Sequence, residues 1–128
     1  MIIPINVQKK LIKVTPFKKV LHGTIVDNGK EYVTNSYWAV KSDSKLEKGV
    51  YAFNGETCTE EPPNIKNVFE NIESKAKKSS ELDFGVDYMI EILTILKANK
   101  VDQVRIYFSD RAILLNDKNY SAVLMGIV

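Results

Sequence analysis

The sequence predicts an α+β fold, one unit built from two similarly ordered halves, each with a helix packed on antiparallel strands. Three observations predict it. Residues 81–128 read as a short strand, a helix and then three strands in close succession. The first half has a similar order, strand, short helix, then three or four strands, with no repeat at the level of identity. At 128 residues the chain can bury one real core but not two comfortable ones, so residues 1–128 are read as a single domain.

In the first half, residues 2–6 read as a strand. Across residues 7–14, Val7, Leu11 and Val14 recur three or four apart with Lys9, Lys10 and Lys13 between them, which suits a short amphipathic helix stopped by Thr15-Pro16. A strand running through Ile12 is the competing reading. Residues 18–26 alternate loosely toward a strand, and Asp27-Asn28-Gly29 is a strong hairpin signal. Residues 31–34 begin the return strand, Asn35-Ser36 turns again, and residues 37–41 run back.

The middle is where the halves are expected to join. Residues 43–48 form a polar loop, 49–53 a short strand, and Asn54-Gly55 a tight turn. Pro62-Pro63 forbids regular structure and biases Glu61 toward an extended backbone. Ile65, Val68, Phe69 and Ile72 fall at helical spacing, so a brief helix is predicted over 64–72, followed by an exposed loop over 75–80.

In the last part, Leu82, Phe84 and Val86 alternate as in a half-buried strand, and Asp87 is placed to cap a helix starting at Tyr88. Tyr88, Met89, Ile92, Leu93, Ile95 and Leu96 make its broad apolar face, with Glu91, Thr94 and Lys97 elsewhere. Strands follow at 104–108, 112–115 and 120–127, separated by turns at Ser109-Asp110 and 116–119.

Composition bounds the function. A chain 45% hydrophobic and 27% charged is a soluble globular type, and apolar runs such as 122–125 are far too short to cross a bilayer. The amino terminus lacks the pattern of a secretory signal, so a cytoplasmic location is the expectation. Cys58 and His22 are the single cysteine and histidine, which excludes an internal disulfide and the usual zinc sets, and neither is paired in sequence with a partner for nucleophilic catalysis. Glu56, Glu60 and Glu61 could hold a divalent cation, but a solvated loop is the simpler account. Glycines stand singly, so no phosphate-binding loop is present. No cofactor, metal or enzymatic activity is expected. Net charge is only +2, but its distribution is uneven: Lys9, Lys10, Lys13, Lys18 and Lys19 precede the first acidic residue, Asp27, while Lys75, Lys77 and Lys78 form a second knot and Lys97 and Lys100 close the late helix. Tyr32, Tyr37 and Trp38 lie together near a hairpin. Neighbours on a strand point to opposite faces, so Tyr37 and Trp38 cannot both be core, and an exposed ring there could stack on single-stranded bases.

Four segments carry a family resemblance. FGVDYMIEILTILK resembles the stretch opening the last helix in a domain of the DNA sliding clamps, the bacterial processivity clamp in particular. VDQVRIYFSD resembles the strand after it, and YSAVLMGIV the carboxy-terminal strand, which in that family reads as an aliphatic run followed by Met-Pro. EEPPNIKNVFENI is similar to the family's proline-bearing connection between halves. The resemblance covers the second half of the chain; the first half agrees in element order, and Gly126 stands where the family has proline.

The resemblance implies a DNA clamp-like fold of two pseudo-symmetric halves. It also implies a non-enzymatic DNA replication or recombination accessory protein that holds duplex DNA by its backbone, without reading sequence. The DNA-contacting residues it implies are Lys9, Lys10 and Lys13 on the first helix and Lys97 and Lys100 at the end of the late one. It further implies an apolar cleft for a peptide of a polymerase or other replication protein, formed in part by Leu124, Met125 and Ile127. Clamp rings contain six domains and this chain supplies one, so a homo-oligomer joined by head-to-tail strand edges, a lone domain, a dimer and an adaptor docked on another clamp are equally open. A small protein rich in Lys and Asn fits an AT-rich bacterium or its phage. The competing function is a protein-interaction module that binds a replication protein with no DNA contact.

Overall fold

The computed structural model describes residues 1–55, 58, 60–77 and 81–127. Helix α1, Ile5–Val14, forms where the amphipathic spacing placed it and buries Val7 and Leu11, one turn apart. The strand expected over residues 2–6 is absent. Pro4 instead precedes the helix, and its carbonyl accepts from the N–H groups of Val7 and Gln8 at 3.0 Å each. Ile2 satisfies its backbone through one side chain: its N–H donates to Asn99 Oδ1 and its carbonyl accepts from Asn99 Nδ2, both at 2.7 Å. Thr15 ends α1, turning its hydroxyl and N–H onto the Leu11 carbonyl.

A single 3-10 turn, Lys19–Leu21, buries Val20 and Leu21 where the strand was expected to begin. Strands β1, Gly23–Asp27, and β2, Lys30–Thr34, are joined by Asn28 and Gly29, whose φ angles of 53° and 78° give the left-handed pair that a two-residue hairpin turn requires. Strand β3 spans Trp38–Asp43 and β4 Gly49–Ala52. Gly23 faces β4 so closely that an added Cβ would lie 2.4 Å from the Tyr51 carbonyl oxygen, which sequence alone gave no reason to suspect.

After the two prolines, α2 spans Ile65–Ser74, its first turn capped by the Asn64 side chain accepting from Asn67 N–H at 3.2 Å. Residues 81–85 carry no strand, contrary to expectation. The Asp83 carbonyl instead accepts from the Ile127 N–H at 2.7 Å, while Lys77 and Phe108 exchange backbone hydrogen bonds at 2.5 and 2.6 Å in one isolated bridge. Helix α3, Val86–Ala98, begins two residues earlier than predicted, with Gly85 at its N-cap. Asp87 therefore makes no capping bond and sits inside the first turn, where a carboxylate still suits the helix dipole. Strands β5, Arg105–Phe108, β6, Ala112–Asn116, and β7, Tyr120–Met125, complete the chain.

Among the described residues, seven strands form one antiparallel sheet in the order β4-β1-β2-β3-β7-β6-β5. Two three-stranded meanders thus meet back to back at β3 and β7, with Val40 opposite Ala122 near the centre of that junction. Alternation sorts the side chains into two cores. Val33, Val40, Leu115, Ala122 and Leu124 face α1 and α3, meeting Val7, Leu11, Ile92, Ile95 and Leu96. Tyr32, Ala39, Leu114 and Val123 face the opposite way, onto Ile65, Phe69 and Ile72 of α2 and the buried pair Val20 and Leu21. The molecule is an α+β arrangement of three layers. Among the described residues no helix is long and apolar enough to cross a membrane.

Candidate functional site

Helices α1 and α3 share one face of the sheet because their apolar stripes enter one core. They run antiparallel: Ile2, just before α1, is tied to Asn99, just after α3, while Lys10 meets Glu91 midway along both. Glu91 sits at the centre of this layer. Sequence reasoning set it on the solvent side, yet it is buried; its Oε2 accepts from Trp38 Nε1 at 2.8 Å and its Oε1 lies 2.7 Å from the Lys10 ammonium. One carboxylate joins α3, β3 and α1. That bond and charge hold the Lys10 ammonium above the ordinary lysine range.

The predicted DNA-contacting lysines fall as follows. Lys9 and Lys13 project from the side of α1 opposite Val7 and Leu11, and Lys97 stands exposed in the last turn of α3. Lys100 is exposed just beyond, in a left-handed turn with φ of 66°. Lys10 flanks the seam between the helices and is engaged by Glu91. Among the described residues, Lys9, Lys13, Lys97 and Lys100 are free of ion pairs.

The same surface carries apolar groups the sequence reading did not foresee. Val86, Ile90 and Leu93, spaced along one side of α3, are 69%, 55% and 44% exposed. Leu93 was expected in the buried face; the core is instead centred on Ile92, Ile95 and Leu96, which leaves Leu93 at its margin.

On the opposite, α2 side lies an apolar groove of about 300 Å³ between β3, β7 and the start of α2. Tyr37, Pro63, Ile65, Val68, Val123 and Met125 line it. Of the three residues expected at a partner cleft, Met125 alone lines this groove. Leu124, its neighbour on β7, is fully buried on the other side of the sheet beneath α1 and α3, as strand alternation requires. Ile127 is exposed beyond the strand end and is outside the groove lining. Gly126 donates its N–H to the Arg111 carbonyl at 2.6 Å, a bond that a proline at this position could not make.

The aromatic cluster resolves as alternation demands. Trp38 is core, Tyr32 is buried on the other face against Phe69, and Tyr37 is exposed with its ring stacked on Tyr88 at 5.5 Å and 8°. Tyr37 thus spends one ring face on Tyr88 and also lines the groove.

Groups with chemical reactivity are engaged structurally. His22 holds a ring nitrogen 2.7 Å from the Thr15 carbonyl, and Cys58 is half-buried against the α2-side core. Glu56, one of the acidic trio, and Lys78, one of the second lysine knot, lie outside the described residues. Among the described residues no cluster of His, Cys, Asp and Glu could hold a metal ion. No protein-family model, curated protein or solved structure matches the chain.

Proposed function

We propose that this protein is a non-enzymatic, sliding-clamp-like accessory factor of DNA replication or recombination, holding duplex DNA by its phosphate backbone without reading sequence. One observation carries the reading: two lysine-bearing helices lie side by side over a sheet whose strand order apart from β4, β1-β2-β3-β7-β6-β5, is the same from either end. Exchanging the two meanders exchanges α1 with α3, so an approximate twofold relates a first half to a second. Lys10 and Glu91 meet midway along the two helices, as groups on either side of such an axis would.

Free ammonium groups at Lys9, Lys13, Lys97 and Lys100 on that layer supply diffuse positive charge without hydrogen-bond geometry suited to base edges. One chain offers two helices and two sheet ends, β4 and β5, through which further copies would add to encircle a duplex. The exposed residues Val86, Ile90 and Leu93 are the features this reading uses least.

A second reading rests on the groove beside Met125. An apolar slot rimmed by Tyr37 and Val68 fits a short hydrophobic peptide, so the protein would serve as an interaction module for a polymerase or another replication protein. One experiment separates the two. Binding to fluorescent duplexes of unrelated sequence is measured over a range of salt for the wild type, for K9E/K13E/K97E/K100E and for V68E. The DNA reading predicts affinity that falls steeply with salt, is indifferent to sequence and is lost in the quadruple variant, with a slope of about 0.9 per phosphate neutralised. Wild-type protein without duplex affinity would overturn it; the interaction reading then requires that V68E lose a peptide the wild type binds.

A further inference from the structure

On the α2 side, a row of aligned residues crosses the sheet: Lys41 opposite Ser121, Ser121 opposite Asn116, and Asn116 opposite Arg105. Helix α2 covers the first part of this row, where Lys41 bonds Glu73 at 2.6 Å and lies over the Phe69 ring. Beyond α2 the sheet face opens into a concavity of about 580 Å³. Its polar lining comes from Gln103, Arg105, Tyr107, Asn116, Asp117 and Lys118.

What sets this concavity apart is how few of its polar groups are used. Asn116 Oδ1 is buried and has no hydrogen-bond partner among the described residues. Such an atom is a rarity in folded proteins; Asn116 as a whole is only half-buried, so a turn of its side chain brings the amide to a donor in the concavity. The side chains of Gln103, Arg105, Tyr107 and Lys118 likewise make no hydrogen bond or ion pair among the described residues. Asp117 alone is committed, accepting from the Asn119 N–H at 2.9 Å to shape the turn after β6. Tyr107 is packed at the margin of the α2 core, which fixes its ring as a wall of the site.

We infer that this concavity binds a nucleotide unit. Arg105 and Lys118 supply two unpaired cations for the phosphate, the Tyr107 ring an apolar wall for the base, and the buried Asn116 amide a partner for an exocyclic amino group. The unit comes either from a free nucleotide or from the end of a DNA strand, since both present the same phosphate and base. The site lies across the sheet from α1 and α3 and stands independently of the duplex-holding face.

The test is titration of the full-length ¹⁵N-labelled protein with dAMP, dCMP, thymidine, inorganic phosphate and a 5′-phosphorylated single-stranded oligonucleotide, followed by amide and side-chain resonances. The expected result is saturable shifts from dAMP or dCMP at Gln103, Arg105, Tyr107, Lys118 and the Asn116 side-chain amide. R105E/K118E should weaken them by about tenfold or more, as loss of charged hydrogen bonds implies. Both substituted side chains are exposed, so the remaining spectrum should be unchanged. N116A should reduce binding of dAMP or dCMP to the level of phosphate alone. An oligonucleotide binding about tenfold tighter than the mononucleotides identifies a strand end as the source, and equal affinity identifies the free nucleotide. Absence of saturable shifts, or equal shifts from inorganic phosphate that ignore N116A, overturns the inference. K9E/K13E/K97E/K100E should leave the nucleotide shifts intact, so failure of the duplex reading is distinguishable from failure of this one.

Discussion

Glu91 is the residue on which the helix layer turns. A carboxylate with only a sliver of exposure satisfies the indole N–H of a fully buried tryptophan and balances an ammonium on the neighbouring helix. The two interactions differ in worth, because Trp38 Nε1 is buried whereas half of the Lys10 side chain is in water. E91Q keeps an acceptor for the indole and is expected to cost about 1 kcal/mol or less. E91A leaves the indole N–H unpaired and is expected to cost about 2 kcal/mol. Urea denaturation of both variants checks this; equal costs would mean that the ion pair, not the buried bond, carries the contribution. The helical pattern did not reveal this residue, because a glutamate next to a hydrophobic stripe reads as solvated unless its partner from another element is known.

Strand β7 shows how far local pattern reaches. Its existence and direction were legible in YSAVLMGIV, and the alternation rule already implied that its apolar residues divide between two faces. Which residues went to which face depended on the layers above and below, and placed Leu124 under α1 and α3 but Met125 at the groove. L124A is expected to destabilise by about 2–5 kcal/mol through lost burial and a cavity, whereas M125A should cost about 1 kcal/mol or less. Thermal or urea melts decide between them, and a costly M125A would return that side chain to the core. The same limit explains the two strands that did not form. Residues 2–6 and 82–86 read locally as strands, but a strand forms only where another backbone pairs with it along its length. Asn99 satisfies the backbone of Ile2, and Asp83 accepts from the Ile127 N–H beyond the end of β7.

At the scale of the whole molecule, the pH response follows from two groups. Burial, with the nearby carboxylates Asp27, Glu70 and Glu73 adding to it, raises Tyr32 above its ordinary value of 10.0, and the Glu91 hydrogen bond and charge raise Lys10 above 10.5. In both cases the folded state holds its proton more tightly than the unfolded chain. Their contribution to stability is therefore complete below about pH 10 and is lost as pH rises through the folded values. The urea midpoint should fall between neutral pH and about pH 11, and Y32F should flatten part of that decline. A decline of unchanged steepness in Y32F would remove Tyr32 as a cause. The sequence by itself determined the helix at residues 7–14, the Asn28-Gly29 hairpin, the helix after Pro62-Pro63 and the closing meander, because periodicity, turn chemistry and capping act within a few residues of chain. The tertiary structure alone decided that two meanders join at β3 and β7, that α1 and α3 share a face, and that Glu91 is buried while Asn116 Oδ1 finds no partner among the described residues. Those outcomes depend on contacts between residues tens of positions apart, whose register no local pattern encodes.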